Sequence, residues 1–264
     1  MFLKENFLFK NQNLFLQSIN LKFNKKDNYN FPIDLTFTNL DPDFIFTIFI
    51  ILTSDLILKN IFGKKSRYFQ LHAFINLIVS YRIYPDILKF IINPSNSYRV
   101  LNNNFESYLI LNLHVYHFFI VKSINLIEKI HHLLFVVLGV IPVIFYIKTN
   151  QIYLGYIACA GLPGVFEYTL LSLLKNEKIS NEQQKFYTSY LYNYFRYPLA
   201  LYGCNLNLIS WKQNKILNSE NLYLSIYINF LLFLNGSIFN QLTLKSYYLK
   251  YFENNFNNKL LLNK

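Results

Sequence analysis

Charge is scarce in this chain. Asp, Glu, Lys and Arg make up only 15% of its 264 residues, against about 25% in water-soluble domains. Glycine and proline stand at seven each, cysteine at two, methionine and tryptophan at one. The low charge argues against an ordinary soluble domain. The two cysteines, Cys159 and Cys204, lie inside apolar stretches and form neither a CxxC nor a zinc-type pair. They read as small buried residues. A dense basic stripe is missing, which argues against nucleic acid as a partner despite a net charge of +11. No nucleotide loop, dinucleotide fingerprint or specific metal motif occurs, so no cofactor and no metal are expected. The first residues, MFLKENFLFKNQNLF, lack the unbroken apolar core of a secretory signal, and no Arg precedes Arg67, as an Arg-rich transit peptide would require.

Apolar residues fill what charge leaves. They make up 53% of the chain, with 27 Phe and 22 Tyr. They gather in runs near the ~20 residues that a membrane-crossing helix needs: about 44–62, 68–92, 108–121, 133–147, 152–174, 187–210 and 222–242. The lysines sit between the runs, where anionic headgroups would meet them. The expectation is an all-α polytopic transmembrane bundle of about seven spans. Residues 1–42 form a polar or interfacial arm, and 245–264 a polar tail. The side holding the basic residues of 59–67, 122–129, 175–185 and the C-terminus carries more Lys and Arg, which places the C-terminus inside.

Several runs carry polar residues that lipid would not tolerate. Asp55 interrupts the first, and reads either as a functional group or as a hydrogen-bonding partner for a neighbouring helix. His72, Asn76, Ser80, Arg82 and Asp86 lie in the second, which Pro85 should kink. His114 and His117, three apart, share a face of the third. Gly155, Gly161 and Gly164 cluster in the fifth; in so glycine-poor a chain this predicts close backbone approach. Glu167 follows at a depth where a lone charge is costly, and the charge of Arg196 suits it. Asp41-Pro42-Asp43 reads as a helix start.

The densest polar stretch is KSINLIEKIHHLLFVVLGVIP, Lys122 to Pro142. Helical spacing puts Glu128 on one face with His131 and His132, and Asn125 a turn above Glu128. An imidazole oriented by a carboxylate is the arrangement that acyl transfer requires of a base. The same residues also serve as polar ties between helices.

Taken in order, INLIEKIHHLLFVVLG, GYIACAGLPGVFEYTLLSLL and YNYFRYPLALYG resemble the TLC domain, the TRAM–Lag–CLN family. HAFINLIVS, from His72 to Ser80, is similar to that family's first helix, and the likeness spans about 66–244, leaving 43–65 as an added helix with a basic turn. The resemblance implies a membrane-embedded, wholly helical fold. It maps an amide or acid before a His pair onto Asn125 and Glu128, the pair onto His131 and His132, a later Glu onto Glu167, and an Asn or Arg near Pro onto Asn193 and Arg196. Ceramide synthases of this family move an acyl group from acyl-CoA to a long-chain base. Smaller members act in lipid homeostasis. This chain has the smaller size, carries Asn125 where Asp is usual, and has no Thr closely after the pair. The resemblance therefore implies lipid binding, sensing or homeostasis, with membrane lipids as partners. His131, His132 and Glu128 would be the catalytic set, with acyl-CoA as donor, if the chain were an enzyme. Asn125, Glu167, Asn193, Arg196 and His72 would contact lipid or substrate. The compartment would be the endoplasmic reticulum or the mitochondrial inner membrane. A noncatalytic accessory subunit of a larger membrane complex is the alternative.

Overall fold

The computed structural model describes residues 41–98, 101, 103–120, 126–146, 149–212 and 222–262. The N-terminal arm and Asn125 lie outside the described residues. The described chain is all-α, with no strand. Its helices are α1 (Pro42–Phe62), α2 (Arg67–Ile92), α3 (Phe105–Ile120), α4 (Leu126–His131), α5 (Ile141–Tyr146), α6 (Ile152–Cys159), α7 (Leu162–Lys175), α8 (Asn181–Leu191), α9 (Tyr197–Lys212) and α10 (Leu222–Leu262). Two π-helical segments, π1 (His132–Val140) and π2 (Tyr192–Arg196), join α4 to α5 and α8 to α9 without a break.

The start of α1 follows from its first residues. The Asp41 side chain accepts from the Asp43 N–H at 3.0 Å, and Pro42 takes the position where a missing N–H costs nothing. Gly63, at φ 80°, ends the helix in a conformation that L side chains avoid. At α8, Ser180 accepts from the Gln183 N–H while the Gln183 side chain accepts from the Ser180 N–H. This reciprocal box cuts the expected loop at 175–185 short.

The internal prolines do not end the helices that hold them. α2 runs on through Pro85. π1 precedes Pro142 and π2 precedes Pro198. Proline donates no hydrogen bond to the carbonyl four residues back. For Pro142 that carbonyl is Leu138, and the Tyr227 hydroxyl donates to it at 3.0 Å. Wider i→i+5 bonds, such as Ile141 N–H to Val136 O and Tyr197 N–H to Tyr192 O, absorb the change.

Neighbouring helices run mainly antiparallel. Ser66 meets Ser172 and Asn176 at one end of α2 and α7, and Asn76 meets Gly164 further along. The α8–π2–α9 rod pairs with α10 from Lys185–Ser246, through Arg196–Asn235, to Asn207–Asn229. α10 continues to Leu262 where a polar tail was expected. At 1.5 Å per residue its 41 residues span about 60 Å.

Among the described residues, three helical stretches are long and apolar enough to cross a membrane: Pro42–Phe62, Glu128–Phe145 and Ile152–Lys175. Large apolar side chains face outward, Phe119 at 82% and Ile92 at 83% exposure among them. In water such a surface would associate, whereas lipid solvates it. These features are compatible with an integral membrane protein.

The glycines divide into two kinds. A Cβ on Gly161, at the break between α6 and α7, would fall 2.7 Å from the Ile157 Cα, and one on Gly164 would fall 2.5 Å from the Asn76 amide nitrogen. Those two match the expected close approach. Gly155 does not, because a Cβ there meets nothing within 4 Å. Gly161→Ala should therefore lower the melting temperature in detergent, by the equivalent of about 1–3 kcal/mol. Gly155→Ala should raise it slightly, because alanine suits a helix better by about 0.5–1 kcal/mol. Equal melting temperatures for the two variants would contradict this assignment.

Candidate functional site

Five histidines occur in the chain, and the fold brings all five together. His72 comes from α2, His114 and His117 from α3, His131 from the end of α4 and His132 from the start of π1. Ring centroids of His117 and His132 lie 4.8 Å apart, those of His114 and His132 5.3 Å, and those of His72 and His114 5.5 Å. The His131 and His132 rings are 5.6 Å apart. Tyr68 and Tyr168 flank the cluster, each with its ring centroid 4.4 Å from that of His72. Glu128 is half-buried on α4, one turn before the pair. The His pair thus has His72, His114 and His117 for company.

These rings are short of hydrogen bonds. His114 uses Nδ1 on the Ile110 carbonyl at 2.7 Å. The Nε2 of His72 and the Nδ1 atoms of His117, His131 and His132 are buried with no protein partner. Orphaned buried polar atoms are uncommon in folded proteins and invite a ligand or ordered water. No three His, Cys, Asp or Glu side chains among the described residues are placed to hold a metal ion as they stand.

A second cluster lies beside the first. Arg196 closes π2 and contacts Glu167 of α7 at 3.3 Å, with the arginine side chain 5% exposed. Tyr192 donates to the same Glu167 oxygen at 2.6 Å, and Arg196 in turn bonds the Tyr192 hydroxyl. The other arm of the guanidinium donates to the side-chain Oδ1 of Asn235 on α10 at 2.9 Å. The guanidinium also lies over the rings of Tyr192 and Phe239, 4.5 and 5.5 Å from their centroids. Phe239 touches His131, at 5.3 Å between centroids, so the two clusters adjoin. Asn193 is half-buried on the same π turn, but its neighbour Tyr192 makes the bond to Glu167.

Beside both clusters opens a cavity of about 150 Å³. π1, α6 and α10 wall it with apolar side chains such as Phe135, Val136, Val140 and Leu231. His114, His131 and Asn235 supply polar atoms to the wall. Gly155 also lines it, and the open space above that residue is part of the cavity. Asn235 and the cavity escaped the sequence. The one signal for Asn235 was an amide in the apolar run of α10, and two others, Asn229 and Asn240, share that run.

Neither family models, nor curated proteins, nor solved structures match this chain.

The Glu167–Arg196 pair sets a clear expectation. Removing one member of a buried ion pair strands the other charge and costs about 3–5 kcal/mol. Glu167→Ala should therefore lower the melting temperature in detergent markedly, and the double variant Glu167→Leu with Arg196→Met should recover most of the loss. An unchanged melting temperature in the single variant would refute the pairing.

Proposed function

We propose that this chain is a TLC-type polytopic membrane protein of about seven spans that binds a membrane lipid as part of lipid sensing or homeostasis. The described helices group into seven successive rods, which supports the span count. The observation that carries the binding reading is the apolar cavity beside unpartnered histidine nitrogens. Apolar walls with a few convergent polar atoms are the usual build of a small-molecule site. A cavity of this size holds only about a benzene's worth of atoms, so it takes one part of a lipid and the remainder lies outside among the helices.

The His pair supports a second reading. His131 and His132 each keep a free buried nitrogen, and Glu128 precedes the pair by one helical turn. A neutral imidazole with an open nitrogen acts as a general base toward a hydroxyl or amine acceptor. Acyl transfer from acyl-CoA is the reaction that this would serve.

The test uses protein purified in detergent from its native membrane, with bound lipid counted by native mass spectrometry. Wild type should retain one lipid that Gly155→Leu excludes, since a leucine there fills the cavity while removing no polar atom. A wild type free of lipid, or a Gly155→Leu variant with the same occupancy, would overturn the reading.

A further inference from the structure

A groove of about 420 Å³, with no histidine in its walls, lies between the first turns of α8 and the extension of α10 beyond Leu242. Its walls are aromatic: Phe186 and Tyr187 from α8, Tyr247 and Tyr251 from α10. The Phe186 ring lies 5.4 Å from Tyr187 and 5.6 Å from Tyr247, and Tyr247 lies 6.1 Å from Tyr251. Phe186, Tyr187 and Tyr251 remain 43–51% exposed. Glu182 brings a carboxylate into the same groove. Lys185 of α8 bonds the Ser246 hydroxyl of α10 at 2.7 Å and holds the two helices together.

We propose that this groove binds the trimethylammonium group of a phosphocholine headgroup. Aromatic faces attract cations, and rings gathered around a concavity favour quaternary ammonium, which has no N–H to leave unsatisfied. Glu182 adds an opposite charge. The Lys185–Ser246 bond keeps α8 and α10 together beside the groove. Its position fits a headgroup as well. Tyr247 lies five residues past Leu242, the last residue of the apolar run, or about 7.5 Å along the helix axis. That distance is the depth of the headgroup layer outside the hydrocarbon. The same end of the bundle carries Lys65, Glu177 and Lys178 in exposed turns. This proposal rests on the membrane reading of the chain but not on the cavity at Gly155.

The experiment places full-length protein, purified in a maltoside detergent, in nanodiscs with equal phosphatidylcholine, phosphatidylethanolamine and phosphatidylglycerol. Lipids retained on release are counted by native mass spectrometry. A cation–aromatic contribution of about 0.5–2 kcal/mol predicts a choline over ethanolamine preference of about two- to thirty-fold. Tyr247→Leu should bring that ratio to parity. Tyr223→Leu, at the opposite end of α10, and Gly155→Leu should both leave it unchanged. Glu182→Gln should lower it without disturbing the ring packing, so the proposal stays testable if Tyr247→Leu loses helicity. Displacement of the lipid by free phosphocholine would mean that the group is recognised from water as well as from a bilayer. Retention against it would restrict the source to lipid. Parity in wild type, a preference that Tyr247→Leu leaves intact, or a preference for phosphatidylglycerol would overturn the proposal.

Discussion

Three carboxylates inside this bundle are each held by an arginine and a tyrosine, and the helix arrangement depends on that. Asp55 of α1, 4% exposed, is bonded by Arg67 and by the Tyr116 hydroxyl at 2.8 Å. Glu106 of α3 accepts from Arg82 at 2.6 Å and from the Tyr153 hydroxyl at 3.4 Å. Glu167 of α7 has Arg196 and Tyr192. Each set crosses between helices, the first tying α1, α2 and α3, the second α2, α3 and α6, the third α7 and π2, with Asn235 adding α10. Where the outside of a bundle is apolar, burying carbon gives little preference for one arrangement over another. Charges that must find their partners do give that preference, because every misplaced helix strands one.

The two π segments follow from the same economy of polar groups. Pro142 and Pro198 leave backbone carbonyls without their usual donors, and the wider turns place His132, Tyr192 and Arg196 on the inside of the bundle. All three are buried. π turns recur at functional sites, and here they bracket the histidine cluster and the Glu167–Arg196 pair. Gly155, which fills none of the space beside it, has no such packing reason. A glycine that weakens its helix and keeps a cavity open makes sense where something occupies that cavity.

Much of this was legible in the sequence, and what was missed has a physical reason. Apolar runs broken by lysine turns gave the all-α class, and Asp41-Pro42 gave the start of α1. The His pair, Glu128, Glu167 and Arg196 stood out because charge in an apolar run is costly wherever it occurs. The sequence could not show that His72, His114 and His117 join His131 and His132, since that depends on which helices pack together. It hid the use of Tyr116, Tyr153 and Tyr192 as carboxylate donors, because 22 tyrosines make any single one look like an interfacial residue. The Ser180–Gln183 box was present in SNEQ but obscured by the charges around it. The length of α10 was not legible, because Lys, Tyr and Asn after Leu242 mark a polar tail without showing that it is helical.

The central claim is that a lipid chain enters the bundle beside the histidines rather than only coating its outer face. A fatty acyl probe carrying a diazirine along the chain and a clickable tag, incorporated into membranes with the protein and photolysed, tests this most directly. The account predicts adducts within His132–Val140 and on α10 around Leu231, the walls of the cavity, with far less labelling in a Gly155→Leu background. Adducts spread over outward residues such as Phe119, Phe166 and Phe233, and indifferent to position 155, would contradict it.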